Sequence, residues 1–176
     1  MANEQKVTKI SSDGHFVHSV IRRCAVDKGV ASALKKSDNP STEYMSWDYL
    51  ATFGINLEFE DSRLPYVTVG AAIARSKPDA NGKVSLGKAI AQCYPDGNQS
   101  NPAKTRIRRL LACSEITEVC MILRPLFSLI SSRTSQPLDY VRLVGQIRRF
   151  PHDPEQVKAQ WAQEFYSTSR PKEETQ

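Results

Sequence analysis

The sequence predicts an all-α protein of several short antiparallel helices. Three observations carry this. Apolar residues recur at i, i+3, i+4 and i+7 along most of the chain. Asp, Asn, Ser, Gly and Pro fall where such runs begin and end. The one stretch that alternates apolar and polar residues, Ile55–Phe59, has no evident partner strand and reads as an extended connector.

The first helix spans about Gly14–Leu34, with Val17, Val20, Ile21 and Cys24 on one face. The polar run Lys35–Pro40 stops it, because the residue before a proline is biased away from helix. Ser41 is placed to cap the next segment, which carries Tyr44, Trp47, Tyr49 and Leu50 and which Gly54 ends. A helix over about Ser62–Ser76 follows, with Leu64, Val67 and Ala71 on one side and Pro65 in its first turn. Pro78-Asp79 and Asn81-Gly82 make Lys77–Lys83 a loop. Ser85–Gln92 is a short helix with Leu86 and Ile90 inward. Tyr94–Lys104, with Pro95, Gly97 and Pro102, reads as a loop and as the boundary between two lobes, 1–98 and 99–176.

Ala103–Ala112 presents Ile107, Leu110 and Leu111 on one face. The clearest helix runs from Ser114, a suitable N-cap, to about Ile130, with Ile116, Val119, Cys120, Leu123, Phe127 and Ile130 in one stripe. Pro125 is expected to kink it, or to end it and begin another. Pro137 starts a helix with Leu138, Val141 and Val144 inward. Asp153-Pro154 is an N-cap and N1 pair, and Val157, Trp161 and Phe165 follow at i, i+4, i+8. The polar tail Ser169–Gln176 is expected to fray.

Composition narrows the function. The 176 residues are 40% hydrophobic, which is too apolar for a disordered chain. No apolar run approaches the roughly 18 residues of a membrane span. Met1–Ser11 lacks the apolar stretch of a signal peptide. Cys24, Cys93, Cys113 and Cys120 form no C-x-x-C pair and read as buried free thiols in a reducing cytosol. The net charge of +5 is unevenly spread. Residues 1–98 are nearly neutral, while Pro102–His152 holds nine basic residues, eight of them Arg, against Glu115, Glu118 and Asp139. Guanidinium is a planar fork that holds phosphate through two hydrogen bonds, so this bias points to an anionic partner.

Catalytic constellations are thin. Gly82–Ala89 matches G-x-x-x-x-G-K, but Ala89 stands where a P-loop needs Ser or Thr, and a polar turn precedes it instead of a strand. That leaves a loop and helix start, with Gly87 allowing close packing. His15, His18 and His152 have no Glu or Cys at metal-ligand spacing, and the acidic Glu58, Glu60 and Asp61 read as solvated. No nucleophile, base and orienter trio is present. The aromatics lie on apolar stripes, not among the arginines, so the basic face suggests phosphate contact over base readout. Arg106 and Arg109 are i, i+3; Arg142 and Arg149 are seven apart with Arg148 beside them; Arg124 flanks the central apolar stripe. Three consecutive helices thus offer guanidinium groups that line one groove if the helices bundle, or three unrelated polar faces if they do not. A free-standing helix-turn-helix regulator is the competing class, with 106–109 and 114–130 as its helix pair.

Two segments carry a family resemblance. Ser85-Leu86-Gly87-Lys88-Ala89-Ile90-Ala91 is similar to the S-L-G-[RK]-A-[LI]-A stretch of the CasB family, the small subunit of the type I-E CRISPR Cascade complex. Arg106-Ile107-x-x-Leu110-Leu111, then Cys120–Leu123 leading to Arg124, resembles the helices that follow it there. Pro137-Leu138, Arg148-Arg149 and the Trp161–Phe165 helix resemble its C-terminal end, so the likeness covers about residues 83–166. The resemblance implies two small helical bundles and no enzymatic activity, cofactor or small-molecule substrate. It implies a cytoplasmic ribonucleoprotein subunit in antiviral defence, with a second copy head to tail and other Cascade subunits as partners. The basic face is then expected to touch crRNA and target DNA backbone, stabilising the R-loop and the displaced strand. Position by position it marks Lys88, Arg106, Arg124, Arg142, Arg148 and Arg149, and more faintly Lys35, Lys36 and Arg63. Arg109 enters only from the helix-face argument. The loop Tyr94–Lys104 looks longer than the family's, and Pro125 stands where a second basic residue is expected.

Overall fold

The computed structural model describes residues 11–167, and its first departure from the sequence pattern is at Asp27. The expected helix over about 14–34 is two helices, α1 (Ser12–Val26) and α2 (Lys28–Lys36). Asp27 takes an extended conformation between them, and its carboxylate accepts from Gly29 N and Val30 N, capping α2. On the expected face of α1, Val17, Val20 and Ile21 are buried, while Cys24, near its end, is only half-buried.

A 3-10 turn, Pro40–Ser46, leads into α3 (Trp47–Ala51). Its cap is Asn39, whose side chain accepts from Ser41 N, and not Ser41 itself. Gly54 closes the segment at φ +70°, a conformation that favours glycine. The connector 55–59 is non-helical and unpaired, as expected. α4 (Glu60–Ser76) begins two residues early, so Pro65 stands in its second turn, within the helix. Every residue of α4 from Leu64 to Ala74 is buried. A helix covered all round is the centre of its fold: α1, α2, α7 and α8 all pack against it.

The loop after α4 returns through Val84, which forms a parallel bridge to Leu138, with Gly82 N donating to Leu138 O and Asp139 N to Val84 O. Gly82 fits there because a Cβ would lie 1.8 Å from Pro137 O. Leu138 therefore precedes α8 (Tyr140–Arg149), whose N-cap is Asp139; Pro137 does not start the helix. α5 (Leu86–Gln92) is close to its expected span. The long loop of 94–104 is shorter than expected. It holds a 3-10 turn at Gly97–Gln99, and α6 (Asn101–Leu111) begins early because Ser100 caps it and Pro102 sits in its first turn.

α7 (Ile116–Arg133) is one continuous helix through Pro125. Pro125 and Met121, whose carbonyl loses its donor, are both on the exposed side, where water can replace the missing bond. Glu115 rather than Ser114 is its N-cap; Glu118 accepts from Ser114 N and Glu115 N, which holds its carboxyl below the usual range. α9 (Pro154–Tyr166) starts at the expected cap, Asp153, and buries Val157, Trp161 and Phe165 completely. It lies along α5, where Gly87 has no room for a Cβ: Trp161 O would be 2.5 Å away. Trp161 stacks on Phe150 and donates to Gln146 Oε1 at 2.9 Å. The expected fraying of 169–176 lies outside the described residues. Helices from both halves of the sequence share one contiguous apolar core, Phe16 to Phe165. No described helix is long and apolar enough to cross a membrane.

Candidate nucleic-acid interface

Packing α2 and α7 against α4 brings the C-terminal ends of α2 and α4 beside the middle of α7. Lys35 and Lys36 occupy the last turn of α2, where a helix C-terminus favours cations. Arg75 occupies the last turn of α4, and Arg124 lies mid-way along α7. Asp38, just beyond α2, stands among them. Its carboxylate meets Arg75 Nη1 at 3.1 Å and Arg124 Nε at 3.1 Å. Arg75 also donates to Lys35 O. Lys35, Lys36, Asp38 and Arg75 line one open depression, and Arg75, Arg124 and Asp38 line the next. Two guanidinium groups thus share one carboxylate, and two lysines stand on the same depression.

A second group forms where α8 and α9 meet α5. Lys88 and Arg142 line a broad groove of about 850 Å³, together with Lys83, Asp139, Gln160 and Glu164. Arg142 Nε donates to Glu164 Oε1 at 2.8 Å, and Arg149 Nη2 reaches Gln160 at the groove's edge. With three cations and two carboxylates this groove is nearly balanced. Glu164 Oε2 also accepts from Gly87 N, so a carboxylate of the chain occupies the place that phosphate takes in a P-loop. The G-x-x-x-x-G-K string is thus explained by packing at both glycines.

The remaining candidates part company. Arg106 and Arg109 share a pocket of about 270 Å³ with Met121, Ile122, Pro125 and Leu126, and Arg106 Nε donates to Tyr94 Oη at 2.7 Å. Arg148 turns to α1, where its Nη1 reaches both carboxylate oxygens of Asp13 at 3.0 Å. Asp13 in turn accepts from Tyr66 Oη, and burial together with that charge pushes the Tyr66 phenol up to about 12. Arg63 is committed inside the protein: it donates to Glu43 and to Leu57 O and lies over the Trp47 ring. The arginines of α6, α7 and α8 therefore go to different places and not to one shared groove. Arg75 and Lys83 are additions that sequence reasoning missed. A cation ending an apolar helix was a visible sign of Arg75, but its closeness to Lys35 spans forty residues and no local pattern carries it.

The cysteines are all free, and burial raises each thiol, Cys120 to about 11. Among the described residues no group of His, Cys, Asp and Glu has the arrangement of a metal site.

The family profile described as CRISPR-associated protein Cse2 matches residues 20–166. No curated protein matches the chain in sequence. The fold is similar to the crystal structure of M. ruber CasB, with a TM-score of 0.73 at 23% identity over 91% of this chain and 95% of that one. It is similar to a Cse2-family protein from Thermus thermophilus, with a TM-score of 0.68 at 19% identity over 89% and 98%. A chain of a CRISPR RNA-guided surveillance complex matches with a TM-score of 0.68 at 20% identity over 89% and 91%. With most of its length matched by the profile and its helices superposing on these structures, the chain belongs to the CRISPR-associated Cse2 family, to which CasB proteins also belong.

Proposed function

We propose that the chain is the small, non-catalytic subunit of a crRNA-guided Cascade complex, where its basic surfaces hold nucleic-acid backbone and stabilise the R-loop and the displaced strand. The observation that carries this is the convergence of Lys35, Lys36 and Arg75, from two helices, on one open depression, with the largely buried Arg124 of a third helix behind Arg75. Lys88, Arg142, Arg149 and Lys83 form a second, weaker contact, and Arg109 a third. The solved surveillance complex that contains a similar chain supports crRNA and other subunits as partners. A second copy head to tail, the two-lobe division at 98/99 and a cytoplasmic setting complete the reading.

Exchanging a DNA duplex for an RNA–DNA heteroduplex is nearly balanced in free energy, so modest backbone contacts tip it. Such contacts work by charge and counterion release and carry little sequence preference. The regulator alternative fits less well. The N-terminal turn of α7, which would enter the major groove, presents Glu115 and Glu118, and Ile116 is buried. The isolated protein is expected to bind single-stranded and duplex DNA weakly, with affinity falling steeply between about 50 and 200 mM salt. Filter binding across that range checks it, and affinity indifferent to salt overturns it.

A further inference from the structure

Asp38 stands where an anion from outside belongs. Its side chain is only 13% exposed, yet Arg75, one of its two partners, is 50% exposed and stands on the same open face as Lys35 and Lys36. Its other partner, Arg124, is 18% exposed, and the Nε–H that lies 3.1 Å from the carboxylate is buried without an aligned hydrogen bond. One carboxylate is therefore shared by two guanidinium groups, and one of them is imperfectly satisfied. Glu43 is committed to Arg63.

We infer that Asp38 is an internal counter-ion, a carboxylate that occupies an anion site built by Arg75 and Arg124 and that a backbone phosphate of bound nucleic acid displaces from Arg75. This rests on the nucleic-acid reading above and adds regulation to it. In the free protein Asp38 neutralises part of the cluster and holds Arg75 down against α2, where it also donates to Lys35 O. When a phosphate approaches across Lys35 and Lys36, Arg75 exchanges a carboxylate oxygen for a phosphate oxygen. The guanidinium loses little, because the new bond is again charge-assisted, while the nucleic acid releases a counterion. The arrangement weakens intrinsic binding to every strand, and a strand that the rest of the complex holds against this face overcomes it through its high effective concentration, where stray nucleic acid does not.

The test is the binding of a fluorescent single-stranded DNA oligonucleotide to the isolated protein, with folding checked by circular dichroism. Asp38→Asn is expected to bind roughly three- to tenfold more tightly at about 50 mM salt, the scale of one unit charge near a phosphate in a wet site. Its salt slope should equal the wild type's, because Arg75 meets phosphate in the bound state of both. Asp38→Glu should match the wild type. Arg75→Ala should cost much more affinity in the Asp38→Asn background than in the wild type. If Asp38→Asn fails to fold, Asp38→Asn/Arg124→Gln, which removes both members of the less exposed pair, replaces it. Arg75→Ala must then still cost more affinity in that background than in the wild type. An Arg75→Ala penalty that is equal with and without Asp38 overturns the inference and leaves the nucleic-acid reading standing. A wild type whose binding ignores salt overturns both.

Discussion

A cation in a basic protein is either held by the protein or offered to a partner, and its carboxylate neighbours decide which. Arg63 and Arg75 make the contrast. Arg63 is 14% exposed, its partner Glu43 is 10% exposed, and its guanidinium is shared among a carboxylate, a carbonyl and an indole face. Arg75 is half exposed and has one ion pair at the surface. Removing one half of a buried pair strands the other, so Arg63→Ala is expected to cost about 3 kcal/mol of stability. Once folded, the variant should bind DNA as the wild type does. Denaturant unfolding together with DNA titration checks this, and a folded Arg63→Ala variant with reduced DNA affinity returns Arg63 to the interface. The sequence could not make this distinction. Arg63 opens a helix in the manner of the family's basic positions, and nothing nearby in the chain shows Glu43 lying against it.

The helices themselves were far more legible than what lies between them. Local chemistry carried Asp153-Pro154, the Trp161–Phe165 stripe and the short α5, because cap and apolar face are set within a few residues. The misjudged points are those where two local signals compete. Asp27 looked like one polar residue on a continuous amphipathic helix, but its carboxylate found the amides of a new one. Pro125 left a kink and a break both open, and α7 runs on through it with the proline facing solvent. Gly87, read from the sequence as allowing close packing, does so. Its missing Cβ is the space through which α5 lies against the backbone of α9. Gly87→Ala is expected to lose about 1–3 kcal/mol through overpacking against atoms that cannot rotate away. Thermal melting measures it, and an unchanged midpoint means that α5 and α9 are not closely apposed.

At the scale of the whole molecule, the net charge of +5 understates the surface. The chain pairs several of its arginines with its own carboxylates, Asp13, Asp38 and Glu164, and the Lys35–Arg75 face sets three cations around an open depression that holds one carboxylate, Asp38. That face joins residues from both halves of the sequence. No window of the sequence contains it, and the arginine-rich stretch after residue 102, which drew attention first, is largely dispersed around the fold. On the proposed function, this face acts on target strands inside a guide-RNA complex without being needed to build it. The direct measurement is target-DNA affinity and R-loop formation by the assembled complex carrying Lys35→Ala/Lys36→Ala/Arg75→Ala. Three lost phosphate contacts predict an affinity roughly tenfold lower or more near physiological salt, with subunit composition unchanged. A correctly assembled complex that binds and opens its target as well as the wild type contradicts the account.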